Sequence, residues 1–498
     1  MRRSFPFVLA AAALATTSWA QPIQNVVLRN SFNPVGAGAR GLGMGGAFIG
    51  VADDGSAASF NPAGLAQLRR SELALVGFRH AVETTLPNPD TGRTETEKSD
   101  HQAPDFFGLA VPFEVGGQNL TVQLSYQRSV DLFGKGRAFT RDTVPFRELR
   151  ISQPGNARLS ADILPEQSGA FHTLSAAAAY QLTPRLAVGG SINYWLADWT
   201  SEGTVSSRVN TIAAPGIPTI LISSTNRTFR HEQSMNGASL NAGLLLRYPK
   251  LSIGAVLRMP FVGRYDLTES GQATDTQPGR APVTTPVSAT MTSRLHWAQT
   301  AGVGAALRPF SGLTLAADYS KSGWAGAYLE DVPDGVLLTP LETTPTGESV
   351  TPGFANRNFF DLAAASQTTT ADTSEWRTGA EYLLSLPKVV VPLRAGIFRS
   401  RSPIRELGSG ESRRIDGFTV GSGLNFRHLV FDVAFERRRS EGLVGLTLRG
   451  GTASAGGESV EKVKESRIVA SILYRFPDND AVKRLLRSVF VGGDTASK

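Results

Sequence analysis

The sequence predicts an all-β fold: a closed antiparallel transmembrane β-barrel of about 14 strands, with a partly helical N-terminal hatch, or plug, inside the barrel. Three observations predict it. From Glu72 onward, apolar and polar residues alternate with period two, as in strands that have one apolar and one polar face. Short turns alternate with long loops along the chain. Residues 21–70 do not alternate and are rich in glycine.

The alternation is clearest in 119–131, where Leu120, Val122 and Leu124 interleave with polar residues. One face of such a strand suits lipid and the other suits water. This also explains a mean hydropathy of only −0.10, since a barrel needs apolar side chains at alternate positions alone. The fourteen predicted strands are 72–80, 106–113, 119–131, 170–182, 185–199, 232–248, 250–266, 290–308, 312–324, 373–384, 389–400, 415–426, 428–439 and 466–476.

The connections are sorted by length, which is typical of outer-membrane barrels with turns on the periplasmic side and loops outside. A soluble β-sandwich has no reason to sort its loops in this way. The short turns are Glu114 to Gln118, Thr183-Pro184, Pro249, Pro309 to Ser311, the stretch around Pro387-Lys388, and Arg427. The long links include 81–105, 132–169, 325–372 and 440–465.

Aromatic residues near strand ends suggest interfacial girdles, although each one taken singly is also compatible with a packed surface aromatic. They are Tyr126, Tyr180, Tyr194, Trp195, Tyr248, Trp297, Tyr319, Trp376, Tyr382 and Tyr474.

Residues 1–20 have the three parts of a secretory signal peptide: basic Arg2-Arg3, an apolar core from Phe5 to Ala15, and small residues before the end. The apolar core is shorter than the ~20 residues that a membrane-spanning helix needs. We therefore expect cleavage after Ala20 and export to the bacterial outer membrane.

Composition removes several classes of function. Absence of cysteine excludes a disulfide scaffold, a thiolate metal site and a cysteine nucleophile. The net charge of +7 comes from scattered basic residues, so no nucleic-acid partner is expected. The six histidines are far apart in sequence, and we find no H-E-x-x-H, P-loop or G-x-S-x-G motif. Although distant residues can converge in a barrel, we predict no cofactor, no metal and no enzymatic activity.

The N-terminal segment holds two overlapping G-x-G-x-x-G matches, Gly36/Gly38/Gly41 and Gly41/Gly43/Gly46. A dinucleotide site would need these glycines inside a βαβ unit, and that context is missing. The alternative interpretation is a tightly packed segment whose small residues let the backbone lie close to a wall.

A second stretch of this segment has the signals of a short helix. Asn61 can cap it, with Pro62 at the first helical position, where no N–H is needed. Asp53 and Asp54 can cap the preceding turn. A compact segment of this kind has the right size to sit inside a barrel.

The stretch Gly41–Asp54 (GLGMGGAFIGVADD), followed by Phe60–Leu65 (FNPAGL), resembles the N-terminal hatch of the FadL/TodX family of outer-membrane transport proteins. The motif resemblance covers about residues 36–66, and over the barrel it is one of architecture alone. It implies a monomeric barrel, occluded by its hatch, that imports long-chain fatty acids or aromatic hydrocarbons by passive, hatch-gated diffusion. The hatch and gating residues it implies are Gly41, Gly43, Gly46, Asp53, Asp54, Asn61, Pro62 and Ala63.

The expected organisation is a signal peptide (1–20), hatch (21–70), barrel (71–476) and periplasmic tail (477–498). The expected partners are a hydrophobic small-molecule ligand, outer-membrane lipid and lipopolysaccharide, and the barrel-assembly machinery. In the family, ligand leaves sideways through a gap made by a kinked third strand. Here 119–131 holds no internal Gly or Pro, which leaves both a lateral and a periplasmic exit open.

Inward-facing arginines are the candidate ligand contacts, because a fatty carboxylate needs a cation in a mostly apolar pocket. Arg258, Arg377 and Arg394 are the chosen candidates. The alternative is that such arginines pair with inward carboxylates and hold the polar lumen together.

The resemblance supports transport of hydrophobic compounds as the function. The alternative is a barrel of the same fold that acts as a surface-protein shuttle or secretion accessory.

Overall fold

The computed structural model describes residues 36–88, 90–145, 155–212, 219–333, 354–358, 370–405, 410–444, 447–449, 452–454 and 459–477. The predicted signal peptide and all but the first residue of the predicted C-terminal tail lie outside these ranges. Within them, no helix is both long enough and apolar enough to cross a membrane.

Strands make up most of the described chain, and the helices are short. The strands are β1 Glu72–Pro87, β2 Thr94–Val115, β3 Gln118–Asp131, β4 Gly134–Lys135, β5 Ala138–Pro145, β6 Asn156–Gln181, β7 Leu186–Thr211, β8 Leu221–Arg247, β9 Leu251–Arg258, β10 Phe261–Thr276, β11 Val283–Trp297, β12 Thr300–Leu307, β13 Leu313–Ser322, β14 Tyr328–Pro333, β15 Phe354–Asn358, β16 Thr373–Ser385, β17 Val390–Arg405, β18 Ser412–Asn425, β19 Leu429–Val444, β20 Thr447–Arg449, β21 Thr452–Ser454 and β22 Ser459–Arg475. The helices are α1 Ala39–Gly43 and the 3-10 helices Ala57–Ser59, Pro62–Gln67 and Trp324–Gly326.

The sheet closes on itself, because β1 pairs antiparallel with both β2 and β22, with Glu72 opposite Arg475 at the β22 side. Going round the wall, the passes are β1, β2, β3, β6, β7, β8, β9 with β10, β11 with β12, β13, β16, β17, β18, β19 and β22. The predicted fold class, a closed antiparallel barrel of 14 strands, is confirmed. Closure pairs the first pass of the wall with the last, so most backbone groups of the described wall are paired between strands.

The two faces of the wall differ as the alternation predicts. Large apolar side chains at alternate positions point outward and are exposed, such as Ile192 at 62% and Ile397 at 64%. Inward positions hold glycine, alanine and polar residues, many of them buried. The outer surface is therefore an apolar belt, and the lumen is polar and narrow enough to be filled.

Several strands run far beyond their predicted ends. The strands β6, β7 and β8 have 26, 26 and 27 residues, and β6 folds residues 156–169 of the predicted loop 132–169 into the wall. Likewise, β1 and β2 fold most of 81–105 into one hairpin. The prediction was wrong here because these extensions leave the apolar belt, so their outward side chains are polar and the period-two hydrophobic signal ends while the hydrogen-bonded ladder continues.

Two predicted strands, 250–266 and 290–308, are each interrupted. Between β9 and β10 stand Met259 and Pro260, and proline cannot donate to a ladder. The interruption changes the phase: Arg258 and Phe261 both face inward although they are three residues apart. The next pass, in which β11 pairs with β10 and β12 pairs with β9, shows the same shift between Trp297 and Thr300. An odd spacing of this kind is the effect of extra residues in a strand.

Candidate functional site

Residues 36–70, here called the inner segment, cross the lumen of the barrel. Helix α1 contacts β17, β18, β19 and β22 on one side, and the 3-10 helix Pro62–Gln67 contacts β3, β6, β7 and β8 on the other. A segment that touches opposite walls of a closed barrel lies inside it. Most of its residues are buried, with Ala47, Phe48 and Val51 at 0% exposure.

Glycines of the wall allow the inner segment to approach closely. A Cβ on Gly189 of β7 would lie 2.5 Å from the backbone nitrogen of Ala63, closer than any stable contact. Only a residue without a side chain fits there. The same restriction, against backbone atoms of the inner segment, applies to Gly254, Gly379 and Gly396. The sequence predicts that the glycine-rich region packs closely against a wall. The wall also has glycines at positions where it meets this region.

Asn61 connects the two halves of the inner segment to the barrel. Its Oδ1 accepts a hydrogen bond from the Ala63 N–H at 3.1 Å, so the predicted helix cap is confirmed. Its Nδ2 donates to the carbonyl oxygens of Ile49 at 3.1 Å and Leu244 at 3.0 Å. Leu244 belongs to β8, so one fully buried side chain caps a helix and ties it to the wall.

The two aspartates of the motif have different roles. The carboxylate of Asp54 accepts from the N–H of Ser56 at 2.9 Å and from its hydroxyl at 2.6 Å, which caps the turn at the start of the 3-10 helix Ala57–Ser59. Asp53 forms an ion pair with Arg40 at 2.5 Å, and Asp54 Oδ2 lies 3.5 Å from the same guanidinium. The predicted turn cap is confirmed for Asp54 alone.

A chain of ion pairs links the inner segment to β16, β17 and β19. Arg40 donates from Nε and Nη2 to the two carboxylate oxygens of Glu381, each at 3.0 Å. Arg394 donates to Glu381 at 2.7 Å and to Asp432 at 2.6 Å. Burial lowers the pKa of the Arg40 guanidinium, but Asp53 and Glu381 raise it more, so the net pKa lies well above its ordinary value and the group stays charged.

Two of the three candidate arginines are committed to protein partners. Arg394 is 3% exposed between Glu381 and Asp432. Arg377 pairs with Glu375 and donates to the Gly45 carbonyl of the inner segment at 2.7 Å. These contacts are those of the pairing alternative. A ligand-contact role for these two arginines stays a prediction that no contact here tests.

Some backbone N–H and C=O groups of the inner segment lie outside its short helices. Side chains of the wall form hydrogen bonds with these groups. The Asp318 carboxylate on β13 accepts from the N–H groups of Phe48 at 2.7 Å and Ile49 at 2.8 Å. The Ser252 hydroxyl on β9 donates to the Gly50 carbonyl at 2.6 Å. Because buried backbone groups must be hydrogen-bonded, these wall residues determine where the segment can sit.

A cavity that is partly open to solvent lies next to the inner segment. Four large aromatic residues, Trp195, Phe261, Trp297 and Trp324, line it. Its polar lining residues include Ser125, Gln127, Ser129, Thr173, Ser175, Ser191, Asn193, Ser239, Asn241, Arg258 and Thr300.

The aromatic rings form one cluster. The Trp195 and Phe261 rings stack at 5.6 Å between centroids, and the Trp297 and Trp324 rings meet edge to face at 5.2 Å. Phe261 and Trp297 are directly opposed in register, just beyond the interruptions of the two strands. The phase shift at those interruptions is what turns both rings inward.

The expectation of an interfacial girdle was wrong for Trp195 and Trp297, which belong to this interior cluster. Sequence reasoning missed the site because it treated 250–266 as one uninterrupted strand. Pro260 was the available signal, since a proline inside a strand pattern indicates a bulge or an end. Other predicted girdle residues, such as Tyr248 and Trp376, are exposed at 44% and 60%.

Arg258, the third candidate, lies at the cavity. It donates from Nη2 to the Ser59 carbonyl of the inner segment at 3.1 Å. It also lines a second cavity, and both cavities include Thr300. Arg258 therefore lies on the wall between the aromatic cavity and a space beside the inner segment, and it contacts that segment.

The wall changes between β2 and β3. Their ladder begins at the Val115–Gln118 turn and ends at Phe106 opposite Gln127, although β2 continues to Thr94. On its other side β3 has a bulge at Ser129. In the described part of the chain, residues 94–105 of β2 have no ladder partner on the β3 side. A discontinuity in the wall thus forms at a bulge, without the Gly or Pro that was sought in 119–131.

The fold has counterparts among solved structures. A FadL homologue from Pseudomonas aeruginosa is 13% identical, with a TM-score of 0.55, and the alignment covers 89% of this chain and 100% of that one. The toluene transporter TodX from Pseudomonas putida is 13% identical, with a TM-score of 0.52, and the coverage is 89% and 98%. At this identity the likeness shows the fold alone. No protein-family model and no curated protein matches the chain.

Proposed function

We propose that this chain is an outer-membrane channel through which hydrophobic compounds, long-chain fatty acids or aromatic hydrocarbons, pass by diffusion. The observation that carries the proposal is the aromatic cavity, with Arg258 at its edge, inside a closed barrel that the inner segment crosses. The shared fold with a toluene transporter and a FadL homologue supports it.

The outer surface supports the membrane location. Exposed leucine, isoleucine, valine and phenylalanine side chains surround the barrel, among them Leu174, Leu244 and Val303 at 49%, 51% and 55%. A contiguous apolar surface of this extent is stable in lipid and not in water.

The cavity has the chemistry for an amphipathic or aromatic ligand. Ring faces of Trp195, Phe261 and Trp297 offer apolar contact and stacking. The Arg258 guanidinium supplies a charge-assisted hydrogen bond for a carboxylate. Of the three arginines predicted from sequence, Arg258 is the one that we assign to the ligand.

Arg258 also provides a link between ligand and gate. It donates to the Ser59 carbonyl, so a ligand carboxylate that takes this hydrogen bond removes one contact between the wall and the inner segment. The gating unit comprises Gly41, Gly43, Gly46, Asp53, Asp54, Asn61, Pro62 and Ala63, of which Asn61 makes hydrogen bonds to both the segment and β8. Movement of this unit opens the lumen.

Uptake of labelled oleate and labelled toluene tests the proposal in a strain that lacks the chain, complemented with wild type or with Arg258→Met. We expect the wild type to restore uptake of one or both compounds. If a carboxylate is recognised, Arg258→Met lowers oleate uptake about tenfold relative to toluene uptake, the loss of a charge-assisted hydrogen bond of roughly 1.5 kcal/mol. Arg264→Met is the matched control, because Arg264 is 64% exposed on the outer face of β10.

Unchanged uptake of every hydrophobic compound tried, together with loss of surface proteins from the strain, contradicts the transport function and favours the shuttle alternative. Equal loss with Arg258→Met and Arg264→Met contradicts the assignment of Arg258.

A further inference from the structure

We propose that His80, His101 and Asp131 form a binding site for one divalent transition-metal ion, with Zn²⁺ as the reference ion. This site lies apart from the aromatic cavity, and the proposal does not depend on which compound the channel carries. Histidine nitrogen and carboxylate oxygen are ligands that Zn²⁺ takes in proteins.

The fold assembles the three side chains from three neighbouring strands. His80 of β1 and His101 of β2 are directly opposed in register, and Asp131 is the last residue of β3. One ligand atom from each lies within 4.8 Å of the other two. Asp131 Oδ2 is 3.0 Å from His101 Nε2 and 3.5 Å from His80 Nδ1. Donors around a tetrahedral Zn²⁺ at ~2.0–2.2 Å are roughly 3.4 Å apart, so small side-chain rotations suffice to bind the ion.

The remaining polar atoms are arranged as a metal site requires. His80 Nε2 lies 3.2 Å from Glu465 Oε2, the carboxylate–histidine arrangement that orients an imidazole toward an ion. Arg128 donates to Asp131 Oδ1 at 2.7 and 3.0 Å, which leaves Oδ2 for the ion. All of these side chains are at most 16% exposed.

The hydrogen bonds within the cluster are incomplete. His101 Nδ1 is buried and makes no hydrogen bond to any described residue, and Asp131 Oδ2 makes no hydrogen bond of good geometry although the two imidazole nitrogens lie near it. Buried polar atoms are ordinarily satisfied, and an unsatisfied atom in a native structure needs an explanation. Apart from the imidazoles, the cluster holds two carboxylates, Asp131 and Glu465, and one guanidinium, Arg128, and this excess of negative charge attracts a divalent cation.

The position of the site determines which strands a bound ion would connect. His101 and Asp131 stand on β2 and β3 beyond Phe106 and Gln127, where the ladder between those strands has ended. An ion held by both, and by His80, ties β1, β2 and β3 together across the interrupted part of the wall. Ion binding therefore restrains the separation of β2 from β3.

Titration of Zn²⁺ into the chelator-treated, detergent-purified full chain by calorimetry at pH 7.5 tests the site. We expect one ion per chain. His101→Gln and Asp131→Asn each weaken binding at least tenfold, and Glu465→Gln weakens it about 10- to 100-fold through the orientation of His80. His428→Gln is the matched control, since His428 lies at a turn at the other end of the barrel and is expected to leave the affinity unchanged.

Three further readouts keep the test independent of folding defects. Heat-modified mobility on gels verifies that each variant forms a barrel, and the visible spectrum of bound Co²⁺ reports its ligands directly. Zn²⁺ should also slow hydrogen exchange in residues 94–105 of the wild type. No binding to the wild type at up to about 1 mM Zn²⁺, or an affinity that His101→Gln and Asp131→Asn leave unchanged, overturns the proposal. Uptake of oleate or toluene plays no part in this outcome.

Discussion

Gly189 and Gly190 are neighbours in β7, but a side chain added at the two positions would have very different contacts. An added Cβ on Gly189 meets the backbone of Pro62 and Ala63, each at 2.5 Å. On Gly190 the same atom meets only the Asn241 carbonyl at 3.4 Å, an ordinary contact. At the residue scale, the position of the inner segment depends on a few inward sites without side chains.

Gly189→Ala is therefore expected to displace the inner segment, at a cost of about 1–3 kcal/mol for overpacking. The variant should show higher ion conductance in planar bilayers and faster proteolysis near residue 63. Gly190→Ala is the control and should behave as the wild type. Equal conductance of the two variants would contradict the close seating of the segment.

The inner segment and the interrupted strands act at the element scale. The segment is short of regular structure, with a five-residue α1 and three-to-six-residue 3-10 helices, so it has little stability of its own. Its order depends on wall residues such as Asp318 and Ser252, which satisfy its backbone. The interruptions after Arg258 and Trp297 in turn place the aromatic rings above it.

Deletion of residues 21–66 should leave a barrel that folds, because the ladder from β1 to β22 closes without them. With the lumen emptied, we expect a large, stable conductance in planar bilayers, against a small one for the full chain. The refolded barrel is verified by heat-modified mobility on gels. A deletion variant that folds and stays electrically silent would show that the segment does not block the pore.

At the scale of the whole molecule, closure and the apolar belt act together. Each outward side chain is presented to lipid at a depth set by its distance from the periplasmic turns. Ala395 of β17 is exposed and lies five residues above Val390, which at ~3.3 Å per residue and a tilt of about 40° places it roughly 13 Å up, near the middle of a band about 25 Å tall.

Ala395→Arg should lower the free energy of unfolding from lipid vesicles by about 2–4 kcal/mol, the cost of an arginine at the bilayer midplane. Val283→Arg is the control, because Val283 is 62% exposed at the extracellular start of β11 and should lose at most about 1 kcal/mol. Urea titration in lipid measures both. Equal losses would place the belt elsewhere on the barrel.

Much of the fold could be predicted from local patterns in the sequence. The alternation of apolar and polar residues located all fourteen passes of the wall, since each strand carries its two-faced signal in its own residues. The Asn61 cap and the close packing of the glycine-rich segment also follow from neighbouring residues. Predictions of this kind succeed because the physical cause lies within a few positions of the effect.

The tertiary structure decided which of these residues meet. Arg258 and Arg394 carry the same local signal, but Arg394 lies between two carboxylates while Arg258 reaches a cavity. The six histidines are scattered along the sequence, and antiparallel register alone opposes His80 to His101. Register between strands far apart in the chain depends on bulges and on closure, so the residues of one strand do not determine which residues lie opposite them.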